Sequence, residues 1–256
     1  VADDQTTRAI AAKTGRELWC SRWAWGRHGP PPDRGSIWTK ALNWTEEKTG
    51  IDIDGDGDMD IVSSSYSEKQ IRWHENDGSS TNWTSTVIAE DTSPNGFYAA
   101  RGIHIADIDS DGDLDILTFS ILGGFVEYHK NMSMETISSC DSIIFELETG
   151  CWGNFYEGLN TYALNCINCQ CPAFNSTNTA EQHLSHAGST LLAIDIDNDN
   201  DKDLILGDIS YTNLNLLING GNNDSAHIVS VDTVFPQNHN STIAGDISVY
   251  PASYYI

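Results

Sequence analysis

The chain has 256 residues, of which 37 are acidic and 13 are basic, and its formal net charge is −24. So few Lys and Arg residues exclude a nucleic-acid-binding surface, because phosphate contacts require many of them. No apolar run approaches the roughly 18 residues that a membrane-spanning helix needs. A hydrophobic fraction of 39% with eight Trp excludes a disordered acidic chain. The length allows one large domain or two small ones.

Residues 1–49 form an N-terminal segment of unclear class. They contain Cys20 and a rigid, non-helical connector, GPPPD, but no unit that matches the rest of the chain. The sequence EEKTG at the end of this segment lacks the apolar residues of a strand. No strand is therefore expected to lead into the acidic run that follows.

Three acidic runs of nine residues dominate the rest of the sequence: DIDGDGDMD at 52–60, DIDSDGDLD at 107–115 and DIDNDNDKD at 195–203. Each run is followed, 24 residues after its first Asp, by an Asn: Asn76, Asn131 and Asn219. The first two runs start 55 residues apart, and the third starts 88 residues later. One spacing kept in three copies indicates an internal structural repeat.

Strand-like segments surround each acidic run. ARGIHIAD precedes the second run, and LDILTFSI and FVEYHKN follow it on either side of a Gly-Gly turn. STVIAED and HIVSVDTVF supply a fourth strand in the first and third copies. Four short antiparallel strands in about 55 residues are typical of a β-propeller blade. The sequence therefore predicts an all-β chain, a β-propeller or a fragment of one, with two blades in residues 50–131.

The alternating Asp residues predict calcium sites. Calcium takes six to eight oxygen ligands at about 2.3–2.6 Å, and side chains at positions 1, 3, 5 and 9 of such a loop, with the carbonyl of position 7, can converge on one ion. The third loop has Asn200 where the others have Gly57 and Gly112, so we expect its site to be weaker. An EF-hand is excluded, because position 12 is not Glu and strands follow. About three Ca²⁺ sites are predicted, and the candidate residues are Asp52, Asp54, Asp56, Asp58, Asp60, Asp107, Asp109, Asp111, Asp113, Asp115, Asp195, Asp197, Asp199, Asp201 and Asp203.

Residues 132–186 are predicted to be a Cys-rich insertion between blades. Five of the six Cys residues lie there, which favours disulfides in an oxidising compartment. Cys140 with Cys151 is one candidate pair, and Cys20 is a candidate partner for the odd member. A zinc site is the alternative, because Cys-x-x-Cys followed by His183 and His186 is a suitable ligand set. The disulfide candidates are Cys20, Cys140, Cys151, Cys166, Cys169 and Cys171.

Two histidines, His74 and His129, occupy equivalent positions in the first two copies, beside Trp73 and Tyr128. Because an active site is seldom copied in every repeat, we expect structural histidines and aromatic residues that pack the blades. The sequence contains no nucleophile elbow, no phosphate-binding Gly loop and no zincin helix. It contains no candidate catalytic residue, which favours a non-enzymatic role.

Residues 187–256 are predicted to form a third blade and the start of a further one. The closing SVYPASYYI has the pattern of a strand that leads into an acidic run. Three blades are fewer than the four to eight that close a propeller. The expectation is therefore that either the first and last segments form further blades without a recognisable repeat, or the chain is part of a larger protein such as an adhesin.

The acidic runs with their flanks, IDIDGDGDMDIV, IADIDSDGDLDIL and IDIDNDNDKDLIL, each followed by a strand that ends at Asn, resemble the FG-GAP/VCBS repeat family. This is the repeat of the integrin alpha-chain propeller and of many secreted bacterial proteins. The resemblance covers residues 50–132 and 187–256. It implies a calcium-binding propeller that acts outside the cell, secreted or at the cell surface.

The expected function is the binding of an extracellular protein or glycan, as in cell adhesion. No transmembrane segment and no nucleic-acid partner are expected. The alternative is a carbohydrate-active enzyme, a polysaccharide lyase or hydrolase built on a calcium propeller, in which the ions would also neutralise substrate carboxylates. The repeat itself does not define a reaction.

Overall fold

The computed structural model describes the chain in nine ranges: 48–65, 70–79, 82–90, 101–120, 124–139, 143–158, 161–171, 190–208 and 211–236. Within these ranges the chain forms antiparallel sheets, and helix is confined to α1 (Ser133–Thr136) and a 3-10 turn at Trp152–Asn154. The predicted all-β class is therefore confirmed. Several predictions fall outside the described residues. They concern most of the N-terminal segment with Cys20, the residues Cys140, His183 and His186, and the expected further blade.

Sheet 1 is a four-stranded antiparallel meander. Its strands are β1 (Lys48–Ile51), β2 (Asp60–Ser65), β3 (Gln70–Asn76) and β4 (Trp83–Glu90), in the order of the sequence. The expectation that no strand precedes the first acidic run was wrong. Lys48 pairs with Ser63 and Ile51 with Asp60, so backbone hydrogen bonds to β2 define a strand whose side chains have no apolar pattern.

Sheet 2 repeats this order with β5 (Arg101–Ala106), β6 (Asp115–Phe119), β7 (Val126–Asn131) and β8 (Phe145–Thr149). The fourth strand lies beyond residue 131, inside the segment that the sequence assigned to the insertion. Helix α1 and a connection separate β7 from β8, and β8 is an edge strand whose Leu147 is 55% exposed. This repeat unit therefore extends to residue 149.

Sheet 3 is the third meander, formed by β11 (Thr190–Ile194), β12 (Asp203–Gly207), β13 (Leu214–Asn219) and β14 (Ile228–Phe235). Strand β12 is buried throughout, whereas β14 is largely exposed. The same gradient, from a buried second strand to an exposed fourth strand, holds in sheet 2. Each sheet thus has the strand order of a propeller blade.

The segment between sheets 2 and 3 is a small disulfide-linked unit. It contains the hairpin β9 (Phe155–Gly158) and β10 (Thr161–Leu164), and its disulfides join Cys151 to Cys169 and Cys166 to Cys171. The predicted pair of Cys140 with Cys151 was wrong, because Cys151 lies beside Cys169, with their Cα atoms 5.3 Å apart. The zinc alternative was also wrong, since Cys166 and Cys169 are both oxidised.

Two apolar cores join the sheets in chain order. The first lies between sheets 1 and 2 and includes Ile53, Val62, Trp73, Ile105 and Ile116. The second lies between sheets 2 and 3, and Trp152 and Phe155 of the disulfide-linked unit complete it, together with Leu117, Tyr128, Leu191, Leu206 and Ile228. Stacking of consecutive meanders through their faces is how propeller blades meet. A closed propeller is not shown and stays a prediction.

Among the helices of the described ranges, none has the length and apolar character that crossing a membrane requires.

Candidate metal centre

Each acidic run connects the first strand of a sheet to the second. We name the runs loop 1 (52–60), loop 2 (107–115) and loop 3 (195–203); they follow β1, β5 and β11 and end at the first residue of β2, β6 and β12. The three loops therefore occupy the same corner of three equivalent sheets. A function that depends on this position in the sheet is therefore expected in all three repeats.

The backbone of each loop curls twice through the left-handed region. Position 6 has φ of +101° at Gly57, +105° at Gly112 and +76° at Asn200. Asn200 thus adopts the same left-handed conformation as the two Gly residues, and the weaker calcium site of loop 3 stays a prediction. Position 4 is also left-handed, at Gly55, Ser110 and Asn198, which the sequence analysis missed. Two left-handed residues in three positions turn the alternate carboxylates toward one centre.

The Asp at position 9 of each loop, called the ninth Asp below, is buried and accepts hydrogen bonds from two parts of the backbone. One carboxylate oxygen accepts the backbone N–H of position 2 at 2.9–3.3 Å, in the pairs Ile53 to Asp60, Ile108 to Asp115 and Ile196 to Asp203. The other oxygen accepts the N–H of the Asn that ends the third strand, at 2.8 Å in all three sheets. Buried backbone donors must be paired. The ninth Asp therefore fixes both the loop and its position against the sheet.

The Asn residues explain the constant spacing of 24 residues. Their side-chain amides donate to the carbonyl of loop position 8, at 3.2 Å from Asn76 to Met59, 3.4 Å from Asn131 to Leu114 and 3.2 Å from Asn219 to Lys202. Asn and the ninth Asp thus form one network that ties the end of the third strand to the loop. The repeat is defined by this network as well as by the strand pattern.

Three carboxylates converge in each loop. Their oxygen atoms lie within 4.8 Å of one another in the groups Asp52, Asp54 and Asp56; Asp107, Asp109 and Asp115; and Asp195, Asp197 and Asp199. Positions 1, 3, 5 and 9 were predicted to converge; loops 1 and 3 bring positions 1, 3 and 5 together, and position 9 lies outside both groups. Loop 2 brings together positions 1, 3 and 9, and it places position 5 in a second group with Asp109 and Glu135.

Asp52 shows most clearly that these groups need a counter-charge. Its side chain is fully buried, and neither carboxylate oxygen makes a hydrogen bond of standard geometry, although the backbone N–H groups of Gly55 and Gly57 lie near enough to lower its pKa. Burial raises the pKa of Asp52 to about 6, and repulsion from Asp54 and Asp56 adds to the rise. A buried carboxylate without a partner is strongly unfavourable. Hard oxygen ligands at this spacing fit a divalent cation such as Ca²⁺.

The side chains at position 7 lie outside these groups. Asp113 accepts the backbone N–H of Met134 at 3.1 Å and so ties loop 2 to α1. The carboxylate of Asp58 lies against Gly78, where an added Cβ would be 2.4 Å from Oδ2. Asp201 is buried, and its pKa rises to about 6 because of burial and repulsion from Asp199. The sequence predicted a backbone-carbonyl ligand at this position, and in the structure the side chains of Asp58 and Asp113 make separate contacts.

Loop 2 contains two charged partners that the sequence analysis missed. Lys130 in β7 makes ion pairs with Asp109 and Glu135 and lies 3.9 Å from Asp111. Glu135 belongs to α1, a helix for which the other described sheets have no counterpart. A basic residue one position before the repeated Asn was visible in the sequence, but nothing in the repeat marks Glu135 as its neighbour.

The repeated histidines and aromatic residues have the structural positions that we expected. His74 Nε2 lies 2.8 Å from Ser63 Oγ, and His129 Nε2 lies 3.4 Å from Glu127 Oε2. Trp73 and Tyr128 are buried in the two cores, and the Tyr128 hydroxyl donates to Asp115 at 3.1 Å. These side chains stabilise the sheets and the base of loop 2.

The fold and the site define a repeat protein of four-stranded sheets, each with an acidic loop after its first strand. The family model of the FG-GAP-like repeat matches residues 52–118, which confirms the predicted repeat family for this segment. The matched segment includes loops 1 and 2 and the strands between them.

A comparison with solved structures finds an Agrocybe aegerita lectin described as recognising non-reducing terminal N-acetylglucosamine. The two chains are 16% identical, with a TM-score of 0.39, and the match covers 74% of this chain and 38% of the lectin chain. The match thus spans well under half of that chain. No curated protein matches this sequence.

Proposed function

We propose that the chain is a calcium-stabilised module of FG-GAP-like repeats that acts outside the cell by binding a protein or a glycan. The observation that carries the calcium assignment is Asp52, a fully buried carboxylate that makes no hydrogen bond of standard geometry and is grouped with Asp54 and Asp56. A bound Ca²⁺ supplies the positive charge that these oxygens lack. The side chains that would hold it are those at positions 1, 3 and 5, which are Asp52, Asp54 and Asp56 in loop 1 and Asp195, Asp197 and Asp199 in loop 3.

The stabilisation expected from calcium binding is large enough to measure. At about 1 mM Ca²⁺ and a dissociation constant of about 0.1 mM, each occupied site stabilises the folded state by about 1.4 kcal/mol. That is a substantial part of the total stability of a domain. The extracellular medium supplies calcium at this level, and the two disulfides are typical of an oxidising compartment.

Calcium titration calorimetry on chelator-stripped protein, with melting curves in calcium and in chelator, tests the assignment. We expect calcium to bind and to raise the melting temperature, and Asp52→Asn to lower the melting temperature mainly when calcium is present. Asp224→Asn is the matched control, because Asp224 is exposed in a turn outside the loops. Equal effects of Asp52→Asn with and without calcium would contradict the proposal.

Two partly exposed aromatic side chains support the binding role. Trp83 at the start of β4 and Tyr211 before β13 are 39% and 36% exposed, and exposed aromatic rings are frequent in binding surfaces. Screening on glycan arrays and on anionic polysaccharides separates binding from catalysis. Retention of a ligand without turnover is the expected result. Release of unsaturated or reducing ends would support the enzymatic alternative instead.

A further inference from the structure

The three loops differ at one equivalent position, which directly precedes the repeated Asn. This position is Glu75 in sheet 1, Lys130 in sheet 2 and Ile218 in sheet 3. Glu75 adds a negative charge beside loop 1, where it repels Asp54. Ile218 is uncharged. Lys130 is therefore the one cation at this position, and it lies at the loop in which none of the five Asp side chains is exposed.

The ammonium group of Lys130 lies where a metal ion would be held. The carboxylates of Asp109, Asp111 and Glu135 form a group that could hold a cation. Lys130 Nζ makes ion pairs with Asp109 and Glu135 and lies 3.9 Å from Asp111, so it contacts the same three groups. Its side chain is 21% exposed, which places the charge within the fold and weakens its screening by solvent.

A second lysine reinforces the positive charge at loop 2. Lys202, at position 8 of loop 3, lies close enough to Asp107 for its charge to favour the ionised carboxyl. Loop 2 thus has one cation in contact with Asp109 and Asp111 and another near Asp107. Loop 1 has no lysine or arginine in ion-pair contact among the described residues.

We propose that Lys130 is the built-in cation of loop 2, so that calcium loads loops 1 and 3 while loop 2 keeps its shape without calcium. This inference rests on the proposed function. A divalent ion entering loop 2 must displace the ammonium group from three carboxylates or sit beside it, and both arrangements oppose binding. Sheets 1 and 3, whose loops depend on calcium, then flank sheet 2, whose loop does not need calcium to fold.

The first test counts calcium ions bound to the full chain, by equilibrium dialysis with elemental analysis and by calorimetry. Wild-type protein is expected to bind two ions. Lys130→Met removes the charge at similar size and is expected to bind three, whereas Lys130→Arg keeps the charge and is expected to bind two. Glu75→Gln at the equivalent position of loop 1 is the matched control and is expected to leave the count at two.

A second readout needs no calcium. In chelator, Lys130→Met is expected to lower the melting temperature, because Asp109, Asp111 and Glu135 lose their shared cation, and calcium is expected to restore part of the loss. Glu75→Gln is expected to keep or raise the melting temperature in chelator, since it removes a repelling charge from loop 1 and retains the oxygen that accepts from Thr84.

If Lys130→Met does not fold, two variants that retain Lys130 still test the inference. Asp54→Asn is expected to lower the calcium count by one, and Asp109→Asn is expected to leave it unchanged. Three ions bound by the wild type, or loss of one ion in Asp109→Asn, would overturn the inference while leaving the proposed function intact. No calcium binding by any variant would overturn both.

Discussion

At the scale of single residues, loops 1 and 3 contain carboxylates of two kinds. The ninth Asp accepts two backbone N–H groups inside the protein, whereas Asp197 at position 3 of loop 3 is exposed and belongs to a converging group. The first kind holds the loop to its sheet whether or not an ion is present. The second kind contributes through the ion. Substitutions of different Asp residues in one nine-residue run should therefore change stability in different ways when calcium is added or removed.

Asp203→Ala is expected to destabilise the protein by about 3 kcal/mol both in calcium and in chelator, because the N–H groups of Ile196 and Asn219 lose their acceptor in a buried place. Urea unfolding in the two buffers measures the free energy of unfolding. Asp197→Ala is the matched comparison, and its cost should be confined to the calcium buffer. A cost for Asp203→Ala that disappears in chelator would show that its role is metal binding alone.

Gly57 tests the left-handed turn at position 6. Its φ is +101°, and a Cβ added there would meet no atom within 4 Å. Gly57→Ala is therefore expected to cost about 1–2 kcal/mol through the backbone alone. Gly57→Asn should cost less, because Asn200 occupies the same position in loop 3 at φ +76°. Chemical unfolding in chelator measures both costs, and equal costs for Ala and Asn would contradict the explanation.

Much of the site was predictable because its signals are local. The Asp spacing, the left-handed position 6 and the Asn at 24 residues all lie within one repeat unit. Glu135 was not predictable, since it reaches loop 2 from α1, which the other described sheets lack. The position 4 turn was also missed, because Ser110 is an uncommon left-handed residue and the sequence does not mark it.

At the scale of elements, the disulfide-linked unit is part of the core and not an appendage. Trp152 and Phe155 are buried between sheets 2 and 3. The backbone N–H of Glu157 donates to the carbonyl of Gly124 at 2.7 Å, and the rings of Phe125 and Tyr156 meet edge to face at 5.0 Å. The unit therefore fills a space that two adjacent sheets would otherwise leave open.

Phe155→Ala is expected to destabilise the protein by about 3–5 kcal/mol, with or without calcium, because it opens a cavity in the second core. Ile167→Ala is the control within the same unit. Ile167 is 67% exposed, so its truncation should change the free energy of unfolding by less than about 0.5 kcal/mol. Urea unfolding compares them, and a small cost for Phe155→Ala would mean that the unit docks weakly.

The strands were predictable where burial imposes a pattern. Strands β6 and β12 are buried throughout and read as apolar runs in the sequence. Strand β1 was missed because KTGI pairs through its backbone, and β8 was missed because an edge strand with an exposed Leu147 follows an unusual connection. The disulfide pairing depended on the fold of the unit, which spacing alone does not determine.

At the scale of the whole molecule, the net charge of −24 and the buried carboxylates make stability depend on pH. The pKa values of Asp52 and Asp54 rise to about 6 in the folded protein, chiefly because of burial. These values exceed the unfolded value of about 3.9, so the folded state binds protons more tightly. The stabilisation is complete below the unfolded pKa and is lost as the pH rises through about 6.

The calcium-free protein is therefore expected to melt at a higher temperature at pH 5 than at pH 7. With calcium present the order should weaken or reverse, because protons and calcium compete for the same oxygens and calcium binds the ionised form. Melting curves at both pH values, in chelator and in millimolar calcium, check this. The double variant Asp52→Asn with Asp54→Asn is the control, since it removes two titrating groups and should flatten the pH dependence in chelator. If the melting temperature changed with pH by the same amount in chelator and in calcium, the carboxylates that titrate would not be those that bind the ion. Proton binding and calcium binding would then have to be assigned to different Asp residues.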